Sequence, residues 1–151
     1  MKLFSYLTAL SLIFLVACSG GSDSGTTSTS GNSSGELSAF QLEHGIGPVT
    51  ERIELGDFDP EMAKKGQNIF NTKCAACHQV EGRFVGPEYG DIMERRSAEF
   101  VMNMILNPGE MIRQHPEGKK MLADYMTPMP FQNVSKDEAR QIVEYFRSYQ
   151  Q

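Results

Sequence analysis

The chain has 151 residues, which is the length of one domain, and a formal net charge of -5. Lys2 lies at the very start and every acid lies beyond residue 18, so the remainder carries thirteen basic against nineteen acidic side chains, a charge of -6. That balance argues against nucleic acid as a partner, because phosphates repel such a surface; a partner offering a basic docking patch suits it.

Residues 1–17 read as a signal peptide. Met1-Lys2 is a short basic start, and Leu3 to Val16 is an apolar run too short for a good membrane span. Leu15-Val16-Ala17-Cys18 resembles the lipobox of bacterial lipoproteins. That resemblance implies that Cys18 becomes the first mature residue and carries lipid. The plainer alternative is an ordinary signal peptide with an incidental Cys. Ser19 to Gly35 holds only Ser, Gly, Thr, Asn and Asp. Such a segment has nothing to bury and is expected to stay disordered. Residues 18–38 are thus expected to be a lipidated Cys and a flexible tether, with an r.m.s. reach of about 23 Å over the Ser/Gly stretch.

Residues 39–58 carry Phe40, Leu42, Ile46, Val49, Ile53, Leu55 and Phe58 with no clean period, punctuated by Gly45, Gly47, Pro48 and Gly56. The reading is an extended arm wrapped on the domain surface, with His44 a surface side chain. Residues 59–151 form the folded domain. Its first helix opens with Asp59 as N-cap and Pro60 at the first position. Met62, Ala63, Gly66, Ile69 and Phe70 fall on one side. Gly66 costs about 1 kcal/mol relative to Ala in a helix interior, which a close helix crossing explains.

That helix delivers Cys74-Ala75-Ala76-Cys77-His78. Cys-x-x-Cys-His is the attachment signature of c-type haem. The two thiols add across the haem vinyl groups as thioethers, and the adjacent imidazole reaches the iron. Zinc wants four ligands, and no second Cys pair exists. A dithiol enzyme wants a βαβ setting, and nothing here reads as strands. With Cys18 lipidated and Cys74 and Cys77 on haem, no cysteine remains for a disulfide.

A loop from Gln79 to Gly90 follows, with Gly86-Pro87 as a rigid turn. A ligating His passes its second ring N–H to a carbonyl, and this turn can supply one; a plain turn is the other reading of Pro87. Ser97 caps a helix to about Leu106, ended by Asn107-Pro108-Gly109. Phe100, Val101, Met104 and Ile105 make its stripe, and Met102 and Met104 read as core filler rather than ligands. Glu110 to Gly118 reads as a polar turn region with His115 solvated. Gly118 to Tyr125 reads as a short helix.

Met126-Thr127-Pro128-Met129-Pro130 cannot be helical, because its prolines cannot donate and push their neighbours to extended backbone. It can present a thioether across an open coordination site; a gap-filling Met is the ordinary alternative. Ser135-Lys136-Asp137-Glu138 is a capping box that opens a helix to about Tyr149. Ala139, Ile142, Val143, Phe146 and Tyr149 form its expected buried stripe, with Tyr145 beside it, and these aromatics can pack on Gly66 and Phe70.

From Asp59 to Tyr149 the order Gly66-x-x-x-Phe70, Cys74-x-x-Cys77-His78, Gly86-Pro87, Met129-Pro130 and a capped last helix resembles a class I, monohaem c-type cytochrome. The resemblance implies an all-α fold whose N- and C-terminal helices cross around one covalent haem. It implies His78 and Met129 as iron ligands. Met129 is preferred over Met126 because Met129 to Ser135 follows the layout of small bacterial members. Gln132 or Asn133 is implied as a donor to the thioether. Function follows as a one-electron carrier, anchored through lipid in a bacterial cell envelope. Its expected partners are a quinol-side donor and a terminal reductase or oxidase acceptor. The alternatives are a haem subunit committed to a larger oxidoreductase, for example a nitrous oxide reductase system, and an open-site haem enzyme or gas sensor.

Overall fold

A computed structural model describes residues 36–151. The expected signal peptide, Cys18 and nearly all of the tether lie outside the described residues. Helices α1 (Ala39–His44), α2 (Pro60–Lys73), α3 (Ile92–Arg95), α4 (Ala98–Leu106), α5 (Pro108–Gln114), α6 (Pro116–Tyr125) and α7 (Lys136–Arg147) follow in order, with a 3₁₀ turn at Ser148–Gln150. There is no strand among the described residues, and no helix there is long and apolar enough to cross a membrane.

The pair α2 and α7 is the frame. Asp59 accepts from the N–H groups of Glu61 and Met62 to start α2, and Ser135 and Glu138 form the reciprocal capping box of α7. Ala139, Ile142 and Val143 of α7 are wholly buried. A Cβ on Gly66 would stand 1.9 Å from the carbonyl oxygen of Gln141, so only glycine lets the two backbones meet. Beside the crossing, Phe70 lies 5.6 Å from both Tyr145 and Phe146, ring to ring. The expected stripe errs at its end: Tyr145 is buried, and Tyr149 is 39% exposed. The chain tightens to a 3₁₀ turn after Arg147, which rotates Tyr149 off the apolar face.

Ser97 caps α4 by accepting from Phe100 N–H, and Met102 is core filler, fully buried. The stretch Glu110 to Gly118, read as a polar turn region, is instead the end of α5 and the start of α6. Each of those helices opens on a proline at its first position. Helix α5 buries Met111 and Pro108 alone, so it carries no stripe to read. A Cβ on Gly118 would stand 2.0 Å from Met111 O, which again marks a close approach. His115 is not solvated but 1% exposed. Its Nδ1 accepts from Glu117 N–H at 3.1 Å to cap α6, and its Nε2–H donates to Leu42 O at 3.2 Å.

The segment 39–58 is not wholly extended. Ser38 and Gln41 form a capping box that starts α1, and only beyond Gly45 does regular structure stop. His44, expected at the surface, is 3% exposed. Arg52 donates to its Nε2 at 3.2 Å, which leaves Nδ1 to donate to Ser97 Oγ at 2.8 Å. Further along, the segment is held by buried polar side chains. Asn103 accepts from Val49 N–H and donates to His44 O and Val49 O, all within 3.0 Å. Glu99 accepts from Ile53 N–H at 2.7 Å. Glu144 accepts from Asp59 N–H at 2.8 Å and pairs with Arg140 and Arg147, which in turn donate to Leu55 O and Gly56 O.

Candidate functional site

Helix α2 ends at Lys73 with Cys74 as its C-cap, and the chain continues for one more turn. Cys77 N–H and His78 N–H both donate to Cys74 O at 3.0 Å. The loop then doubles back, with Gly86 N–H donating to Cys77 O at 2.8 Å. A Cβ on Gly86 would stand 2.5 Å from His78 Cε1, so the imidazole lies directly against bare backbone. His78 Nδ1 is 2.8 Å from Pro87 O. A carbonyl only accepts, so Nδ1 carries the proton and Nε2 keeps its lone pair for a metal.

Two cavities, of about 260 and 100 Å³, share His78, Pro87, Met104, Met121, Tyr125 and Met129 in their walls. Cys74 lines the larger and Cys77 the smaller. Met129 is half-buried against the core. Met126, by contrast, is 82% exposed, takes left-handed backbone at the end of α6 (φ 54°) and lines neither cavity. The structure thus gathers Cys74, Cys77, His78, Pro87 and Met129 around one hollow and leaves Met126 outside. The amide of Gln132 donates to Pro130 O at 3.4 Å instead of to a thioether. The other two His side chains serve structural bonds: His44 sits beneath the arm and His115 caps α6.

Burial pushes the Cys74 thiol up to about 11, although nearby Lys73 works against this. As a free thiol it stays protonated at neutral pH, unlike the acidic thiol of a dithiol enzyme. Among the described residues no group of three or more His, Cys, Asp or Glu is placed to hold a metal ion, which leaves the zinc reading without a ligand set. A lone-pair imidazole, a thioether and two cysteine thiols around a mostly apolar hollow fit a covalently held iron porphyrin. Arg95 and Arg96 in the wall of the larger cavity can face its carboxylates.

The cytochrome c family model matches residues 63–150. The chain belongs to the cytochrome c family. Its cofactor is covalently bound haem c with its iron, and its activity at this coarse level is that of a haem c electron carrier. It is 32% identical to cytochrome c2 of Rhodocyclus tenuis over 78 residues, which cover 52% of this chain and 84% of that one. It is 42% identical to cytochrome c of Cochliobolus lunatus over 43 residues, but there it spans only 40% of the relative's length and 26% of its own. Among solved structures, cytochrome c from Rhodothermus marinus is 38% identical, with a TM-score of 0.68, covering 72% of this chain and 94% of that one. An engineered form of that protein, bound to a carbene intermediate, matches at 38% identity over 72% of this chain and 95% of its own, with a TM-score of 0.65.

Sequence reasoning missed part of this cytochrome's site. Tyr89 lines the larger cavity, with its ring 4.4 Å from Phe70, yet it sits in an irregular loop where no period announces burial. Met104 and Met121 line both cavities; in the sequence, Met104 is indistinguishable from core filler. Helix α3 went unread because it is a single turn whose Asp91 makes no side-chain cap.

Proposed function

We propose that this cytochrome is a membrane-tethered one-electron carrier between respiratory-chain components. Cys74 and Cys77 hold the haem, His78 and Met129 ligate the iron, and Cys18 carries the lipid. The observation that carries the reading is the meeting of His78, oriented by Pro87, and Met129 in the walls of the same two cavities. The bound haem supplies Fe(III)/Fe(II) exchange. The chain's own contribution is to fix the imidazole tautomer, to present a thioether from a proline-bracketed loop, and to exclude water with apolar side chains. Met/His ligation raises the reduction potential, and an apolar surround raises it further by disfavouring the extra ferric charge.

Docking is proposed through the loops around the smaller cavity, in whose wall Val85 stands. Phe84, Val85, Met126 and Phe131 are four of the six large apolar side chains exposed among the described residues, and all four lie in the loops flanking His78 and Met129. Exposed apolar side chains in those loops suit the weak, short encounters of electron carriers. The donor is taken to be quinol-side, and the acceptor a terminal reductase or oxidase; the Ser/Gly tether supports mobility over an envelope membrane.

The ligand test compares two variants. Met129→Ala should abolish the weak ferric thioether-to-iron band, lower the potential and open the iron to carbon monoxide. Met126→Ala should keep the band. The reverse pattern would move the sixth ligand to Met126. For the anchor, mass spectrometry should find acyl chains on Cys18, and an unmodified mature thiol there would remove the tether from the proposal.

A further inference from the structure

The stretch from Thr127 to Val134 carries Met129 and has little of its own to hold it. Its first four residues wall the smaller cavity. Pro128 and Pro130 lack an N–H, and among the described residues no N–H or C=O of the stretch is bonded to another backbone group. Thr127, Pro128, Pro130, Phe131 and Asn133 are exposed, and Asn133 takes left-handed backbone (φ 51°). Met129 and Val134 pack on the apolar core. Gln132 bonds only within the stretch, to Pro130 O. One side chain reaches in from elsewhere among the described residues: Lys73 Nζ donates to Gln132 O at 3.4 Å and to Asn133 O at 3.0 Å. Lys73 is the last residue of α2. A lysine there has a ready partner in the helix's own final carbonyls, where the dipole favours a cation. This one instead crosses to carbonyls 59 and 60 residues further along the chain. Other basic side chains of the fold close on carboxylates, Arg95 on Asp91 and Lys120 on Asp124. An ammonium has three donors and a carbonyl only accepts, so one lysine can join two carbonyls that no N–H of the domain satisfies.

We infer that Lys73 is the positioning residue for the sixth iron ligand: its ammonium clasps the carbonyls of Gln132 and Asn133 and holds the Met129 stretch against the end of α2. The consequence follows from where α2 leads. The next residue is Cys74, in the wall of the larger cavity, so one helix end fixes both a haem attachment point and the loop that carries the thioether. Met129 stands three residues before Gln132, and Pro130 between them restricts the backbone that links them. Movement at the clasp is therefore passed on to Met129. Partners behind a ligating side chain orient it and tune the metal; Pro87 O does this for His78, and Lys73 does it for Met129. An outside ligand can bind only after the thioether has left, so the clasp sets how readily one enters. Its effect is several-fold and not orders of magnitude, because Lys73 is only half-buried and water screens its charge. The inference deepens the electron-carrier reading and rests on Met129 as the ligand there.

The test uses the haem-loaded full chain in the ferric state. Stopped-flow mixing with imidazole reads the loss of the thioether-to-iron band as imidazole displaces Met129. Lys73→Met keeps the apolar stem and removes the charge and the donors; displacement should run several-fold faster than in the unaltered chain. Lys73→Arg keeps both and should return the rate to near the unaltered value. Lys65→Met removes an exposed charge elsewhere on α2 and should leave the rate unchanged. A second readout does not depend on the iron ligand. Limited chymotrypsin cleavage after Phe131, which is 58% exposed, should quicken several-fold in Lys73→Met and recover in Lys73→Arg. Unaltered cleavage in Lys73→Met would overturn the clasp, and so would an equal rise in Lys65→Met, which would assign the effect to net charge. Quickened cleavage with unaltered imidazole displacement would overturn the positioning role, since the clasp would then hold the loop without acting on the ligand. A thioether band that survives Met129→Ala would overturn the ligand reading itself; the cleavage comparison is independent of that band, so the two failures are told apart.

Discussion

The two sides of α4 and α7 are held together by opposite means. On the haem side, Phe70, Ile142, Phe146 and Met129 present apolar surface to the cavity. On the arm side, Asn103, Glu99, Glu144 and His115 are all buried and all bonded to the segment 39–58 or to its flanks, and the segment's own buried His44 is bonded to Ser97. The physical reason is that the arm beyond α1 has no regular structure. Its N–H and C=O groups find no partners within the segment, so the domain must supply them. A porphyrin face asks for the reverse, dispersion contact and exclusion of water. The same two helices therefore serve as an apolar wall and as a polar rack.

The largest expected break in that contrast is at the frame common to both sides. Gly66→Ala puts a methyl group 1.9 Å from Gln141 O and must push α2 and α7 apart, at a cost of about 3 kcal/mol or more. Chemical denaturation should read it, and recovery of haem-loaded protein should fall with it.

Glu144→Ala should come next. It leaves Arg140 and Arg147 without their carboxylate and Asp59 N–H without an acceptor, a loss of about 3 kcal/mol for a buried pair deprived of one member. The same group sets an acid limit. Burial by itself would raise Glu144, but the Asp59 N–H, Arg140 and Arg147 together hold it below its ordinary 4.5. Glu99 is likewise lowered, where burial is outweighed by the Ile53 N–H and further donors. A carboxylate with a depressed folded value stabilises the fold above 4.5 and loses that contribution as pH falls through the folded value. Stability should therefore decline below that point, and Glu144→Gln should flatten the decline. An unchanged acid profile in Glu144→Gln would remove Glu144 from the account.

Asn103→Ala sharpens the comparison, because it touches only the rack. It strips Val49 and His44 of their partners, a cost of about 2 kcal/mol. Hydrogen exchange should quicken across residues 44–53, with the ferric thioether band unmoved. The smallest effect belongs to Met126→Ala. That side chain is 82% exposed, so thermal denaturation should shift by less than about 0.5 kcal/mol.

Legibility in the sequence follows the same division. The apolar face of α7, its capping box and the start of α2 at Asp59-Pro60 were readable, because periodicity and caps are local signals and the tertiary structure kept them. The arm misled. Its α1 had a cap signature in Ser38-x-x-Gln41, but the apolar residues after it keep no period, and His44 and His115 look like any surface histidine until their partners are known. Those partners lie 53 and 73 residues away in sequence.

What the chain determined by itself was the chemistry: two thiols and an imidazole in five residues, a glycine where α7 must cross, and a thioether between two prolines. The first and the last are matters of covalent spacing and backbone restriction, which need no distant neighbour, and the glycine marks the crossing because its cost inside a helix shows locally. Only the tertiary structure decided that Met129 lines the cavities while Met126 does not, that Pro87 O and not another carbonyl meets His78, and that three tyrosines from a loop, a helix and its 3₁₀ extension cluster by their hydroxyls. Those are contacts between segments far apart in sequence, fixed by how the buried polar and apolar groups find partners when the whole domain closes.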